Sequence, residues 1–167
     1  VLNKTRVGTF KALQSLEKDT IVKGKTLGKA RFYKINLEED YARKNVETLL
    51  MEEARKYARW KDELKELTKL THIVILFGSA IRNEEKANDI DLLLVFNEKN
   101  NVKINQFIKE KNQLLIKKLH PIKQTRYDLR KNIIKRDKVV IDAIRSGIVL
   151  HGYEKMVEMM QNVASKE

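Results

Sequence analysis

Gly78-Ser79 and Asp89-Ile90-Asp91, separated by nine residues, are the part of this chain best equipped for chemistry. They lie between two apolar runs, His72 to Phe77 and Ile90 to Phe96. Both runs are short, β-branched or leucine-rich, and bounded by polar residues, which is the pattern of buried strands. Side chains alternate along a strand, so Asp89 and Asp91 project from one face with Cα atoms roughly 7 Å apart. Two such carboxylates repel unless a cation lies between them, and Mg²⁺, a hard ion that takes oxygen ligands, is the expected one. Gly78 and Ser79 end the earlier strand, where glycine permits a tight turn and a ligand's close approach to the backbone. A helix opening at Ser79 would direct free N–H groups and the hydroxyl at an anion such as a triphosphate. A phosphate cradle beside a metal-binding carboxylate pair is the minimum equipment for phosphoryl or nucleotidyl transfer.

The stretch Ile75 to Val95 has hydrophobic residues before Gly-Ser, a short variable segment, and Asp-x-Asp entering a hydrophobic strand. It resembles the minimal nucleotidyltransferases of the polymerase-β-like superfamily, and the resemblance extends to Ser146 to Glu154. The fold it implies is α+β, a small mixed sheet with flanking helices. It implies Asp89 and Asp91 as catalytic, metal-holding residues, and Gly78 and Ser79 on the β- and γ-phosphates. The substrate would be a nucleoside triphosphate, ATP being the first expected, and the cofactor Mg²⁺. A nucleoside monophosphate would pass to an acceptor hydroxyl on a protein, a small molecule or an RNA end, releasing pyrophosphate.

The resemblance also implies a third carboxylate on a later strand. The next strand-like stretch, His120 to Thr125, carries no acid, and Thr125-Arg-Tyr-Asp128 reads as a capping box opening a helix. The spacer before Asp89 is one residue shorter than in many members of the superfamily. Two readings stay open: a site that works with two carboxylates plus substrate oxygens, or one that binds nucleotide and turns over poorly. His72, His120 and His151 are far apart, without zinc-ligand spacing.

These motifs sit in a chain of 167 residues with 35 basic and 23 acidic side chains, net charge +12. That excess favours polyanionic partners: nucleic acid, nucleoside triphosphates or an acidic surface. The absence of cysteine excludes disulfides, zinc thiolates and a cysteine nucleophile. No apolar run approaches membrane-spanning length and no signal-peptide pattern opens the chain, so no membrane partner and a cytoplasmic location are expected.

Three segments are expected. In residues 1–37, Val7, Phe10, Leu13 and Leu16 have helical spacing with Asn3 as a cap. A short strand Ile21-Val22, a turn over Gly24 to Gly28 and a strand Ala30 to Leu37 follow. This order resembles the recognition helix and wing of a winged helix-turn-helix domain, and a complete one has further helices before it. On such a scaffold Arg6, Lys11, Lys25, Lys29 and Arg31 would meet duplex DNA. A DNA-binding transcriptional regulator with a weak or inactive transferase-like half is therefore the alternative function. Residues 38–70 read as one long amphipathic connecting helix, whose stripe would also serve as the seam of a homodimeric coiled coil. Residues 71–167 form the nucleotidyltransferase domain, with helices expected over 102–119, 128–145 and 153–163.

Overall fold

The computed structural model describes residues 5–83 and 85–164. Contacts divide the chain into two compact units, Val1–Thr48 and Leu49–Glu167.

The first unit opens with α1 (Arg6–Lys18), whose N-cap is Thr5: its hydroxyl accepts from the Gly8 N–H at 3.1 Å. Asn3, the expected cap, lies outside the described residues. Strands β1 (Val22–Leu27) and β2 (Ala30–Ile35) pair antiparallel with Leu27 opposite Ala30, so the turn is Gly28-Lys29 alone. The wider turn expected from Gly24 does not form, and Gly24 lies within β1. It is needed there for room. A Cβ at Gly24 would sit 2.6 Å from Glu17 Oε1 and 2.8 Å from Arg31 Nε. The Glu17 carboxylate accepts from the Gly24 N–H at 3.1 Å and from Arg31 at 2.6 and 2.8 Å, tying helix and both strands together. Helix, hairpin and the start of the next helix are the regular structure described in this unit.

That next helix, α2 (Asp40–Arg55), carries the chain past the boundary at Thr48. The continuous helix expected over 38–70 breaks at Lys56-Tyr57, and α3 (Ala58–Glu63) and a 3₁₀ turn (Lys65–Lys69) follow. Residues 38–70 as one straight helix would run about 50 Å, too long for a single small core to cover. Broken at Tyr57, the chain buries Ala54, Trp60, Leu64 and Leu67 in one core. Those residues are thereby withdrawn from the coiled-coil seam.

In the second unit β3 (Thr71–Phe77), α4 (Ser79–Arg82) and β4 (Asp89–Phe96) precede α5 (Asn101–Leu114) and β5 (Lys118–Gln124). Then come α6 (Arg126–Ile134), α7 (Lys138–Ser146), β6 (Ile148–His151) and α8 (Tyr153–Ala164). The sheet has order β5-β4-β3-β6, with β4 and β5 parallel and the other pairs antiparallel. Period-two alternation sends Val74, Leu76, Leu92 and Leu94 to one core with α3 and α5. Ile73, Ile75, Leu93 and Val95 go to a second core with α6, α7 and α8. Each fully buried leucine or isoleucine contributes about 1.5–3 kcal/mol. This α+β layering, a small sheet covered on both faces, agrees with the fold expected of residues 71–167.

Two boundaries differ from the sequence reading. The helix expected to reach residue 119 stops at Leu114, and β5 begins at Lys118. The helix expected over 128–145 is two, because the chain reverses at Arg136 (φ +55°) and Asp137 caps α7 by accepting from the Val140 N–H at 3.0 Å. Strand β6 lies inside the Ser146 to Glu154 segment. Among the described residues no helix is long and apolar enough to cross a membrane.

Candidate active site

β3 ends at Phe77, and its antiparallel register sets Phe77 opposite Asp91. The next residue, Gly78, has φ +79° and ψ −146°, a backbone region that essentially only glycine occupies. Its Cβ, were there one, would lie 2.1 Å from Asp91 Oδ2 and 3.0 Å from Asp91 Cγ. The sequence gives a reason for glycine here, close approach to the backbone, and the structure names the approaching group as the Asp91 carboxylate. Ser79 then opens the short helix α4, half-buried, with its carbonyl accepting from the Asn83 N–H at 3.0 Å.

The loop back to β4 is held at both ends. The Ala87 N–H bonds the Asn83 carbonyl at 3.1 Å, and the Lys86 N–H bonds Asn83 Oδ1 at 3.1 Å. Lys117, just before β5, donates to the Glu85 carbonyl at 2.8 Å. Its neighbour Lys118 donates to the carbonyls of Asn112 and Leu115 at 2.6 and 2.8 Å, capping the end of α5. These bonds fix where β5 starts relative to Asp89.

The parallel register of β4 and β5 sets Asp89 beside Lys118 and Asp91 beside His120. His120 Nδ1 lies 3.3 Å from Asp91 Oδ1. One ligand atom each from Asp89, Asp91 and His120 falls within 4.8 Å of the others, the two acids half-buried and the imidazole exposed. His120 carries no spacing signal, since Asp91 is 29 residues away and is reached through a parallel pairing. The strand that follows the Asp-x-Asp strand, where the resemblance implies a third acid, carries an imidazole beside Asp91.

The donor set suits a divalent cation: two carboxylates, one imidazole nitrogen, and a backbone cradle at Gly78 that a side chain would fill. Donors about 2.1 Å from one ion are at most about 4.2 Å apart, so the set closes on an ion once the side chains move inward. Asp128 takes no part. It completes the capping box with Thr125, whose side-chain and backbone hydrogen bonds hold its carboxyl below the ordinary aspartate value. His72 pairs with Asn97 at 3.0 Å, and burial pushes the His151 imidazole below its usual range.

In the first unit Arg6 and Lys11 lie on α1, Lys25 on β1 and Lys29 in the turn, all exposed. Arg31, expected to contact DNA with them, is engaged by Glu17.

The model of the nucleotidyltransferase domain family matches residues 57–150, more than half of the chain. The match takes in Gly78, Ser79, Asp89, Asp91 and His120. No curated protein and no solved structure matches the chain significantly.

Proposed function

Because the chain belongs to the nucleotidyltransferase domain family, we propose that it transfers a nucleoside monophosphate from a nucleoside triphosphate to an acceptor hydroxyl, releasing pyrophosphate. The observation that carries this reading is the convergence of Asp89, Asp91 and His120 beside Gly78-Ser79. Asp89, Asp91 and His120 would hold a divalent cation, which supplies charge neutralisation to the triphosphate. Gly78 leaves the Asp91 carboxylate room to lie against the backbone, so this donor is in place before substrate arrives. Ser79 offers its N–H and hydroxyl to the β- and γ-phosphates. Asp89 and Asp91, half-buried at the start of β4, are the acids best placed to orient the acceptor hydroxyl and take its proton.

Calorimetric titration of ATP, CTP, GTP and UTP with a divalent cation tests this, alongside pyrophosphate release. Wild type should bind at least one nucleotide, and the Asp89→Asn/Asp91→Asn variant should lose binding and release while keeping its circular dichroism. Unchanged turnover in that variant would refute the assignment.

A second reading adds to the first: the exposed cations Arg6, Lys11, Lys25 and Lys29 would tether the enzyme to duplex DNA. Binding should then weaken steeply with salt. Duplex affinity indifferent to Lys25→Ala/Lys29→Ala would dismiss it.

A further inference from the structure

Asp89, Asp91 and His120 present two oxygen donors and one nitrogen donor to the place where a cation would lie. Two consequences follow from that chemistry. Two carboxylates carry less negative charge than three, which weakens the hold on a hard ion bound by charge alone. Imidazole, in turn, favours first-row transition ions over Mg²⁺, which prefers oxygen and gives up water reluctantly. The imidazole is 72% exposed, with Nδ1 turned to Asp91, so an ion arriving from solvent meets nitrogen and carboxylate together.

We infer that His120 turns this site away from Mg²⁺ and toward the divalent first-row transition ions, among which Mn²⁺, the one nearest to Mg²⁺ in its taste for carboxylates, is the most demanding probe of the shift. The inference rests on the transferase reading for the purpose of the site, but its test uses the ions alone. It departs from the Mg²⁺ expected of an all-oxygen site. His120 is a selecting ligand, and its exposure allows replacement without opening the core.

The experiment titrates Mn²⁺ into the full chain, following loss of the free-ion paramagnetic resonance signal, with Mg²⁺ as competitor. Wild type, His120→Ala and His120→Asp are compared, and circular dichroism checks each fold. His120→Ala should lose about tenfold in Mn²⁺ affinity while Mg²⁺ affinity changes less than about threefold, since even indirect partners of a metal ligand are worth this much. His120→Asp should lower the preference for Mn²⁺ over Mg²⁺ by about tenfold, the carboxylate restoring an all-oxygen set. A preference equal in all three proteins would overturn the inference, and the Asp variant decides it should the Ala variant misfold. Nucleotide titrations separate this from the transferase reading. Nucleotide binding lost in Asp89→Asn/Asp91→Asn, with a metal preference indifferent to residue 120, sinks the selectivity alone. Metal preference set by residue 120, with no nucleotide bound in either ion, upholds the selectivity and sinks the transferase.

Discussion

Gly78→Ala is the sharpest perturbation of this site, because its cost has two parts that can be measured separately. The first is backbone: at φ +79° and ψ −146° a non-glycine residue costs about 1–3 kcal/mol. The second is steric. A methyl carbon 2.1 Å from Asp91 Oδ2 must be relieved, and ordinary contact requires the carboxylate to withdraw by well over about 1 Å. Together these predict a loss of about 2–4 kcal/mol, or a melting temperature lower by about 5–15 °C. A displacement of about 1 Å in a positioned catalytic group can cost about a hundredfold in rate, so transfer should fall at least that far. Asp91→Ala removes the colliding atoms but not the backbone cost. In that background Gly78→Ala should cost about 1–2 kcal/mol less, a coupling visible in a double-mutant cycle of urea melts. Additive energies would show that Gly78 serves only its own backbone, and a Gly78→Ala protein with wild-type stability would refute the geometry outright.

Three further outcomes are expected. Thr125→Val removes the hydroxyl that accepts the Asp128 N–H at 3.1 Å and should cost about 1 kcal/mol in denaturant melts; no change would mean the cap contributes nothing to α6. Thr20 holds φ +58°, unfavourable for a β-branched residue, so Thr20→Asn should gain about 0.5–1 kcal/mol; a lower melting temperature would refute that. His151, held below its ordinary pKa first by burial and then by the charge of Lys155, makes stability depend on pH. Above about pH 6.5 it is neutral folded or unfolded; below that the unfolded chain takes up the proton first, so stability falls as pH drops toward the folded value. His151→Gln should flatten the fall of the melting temperature below about pH 6.5; an unchanged slope would assign the dependence elsewhere.

The parts of the fold that sequence made legible are those set by local patterns. Alternation and end signals give β3 and β4, and Thr125 with Asp128 writes its capping box in four residues. Gly78 and the Asp-x-Asp pair are likewise local, and the structure brings them together. What escaped was set by packing. Residues 38–70 keep helical spacing throughout, yet burial of Trp60, Leu64 and Leu67 outweighs continuity and breaks the helix at Tyr57. Gly24 looks like a turn residue until Glu17 and Arg31 are seen crossing it. His120 escaped for the same reason, since nothing near it in sequence marks it as a ligand.

Its place is nonetheless dictated by its neighbours. β5 is an edge strand with Pro121 beside Leu92 of β4. Proline has no N–H to give, so it fits an edge strand only where that N–H would face away from the partner. A slip of one residue would aim the missing N–H into the ladder and send every side chain of β5 to the opposite face. Leu119, buried on the face of Ile90, would then leave the core, at a cost of about 1.5–3 kcal/mol. Leu119 and Pro121 thus set the register from either side and leave His120 beside Asp91. The third donor of the proposed cation site is therefore specified by two residues that would never touch a metal.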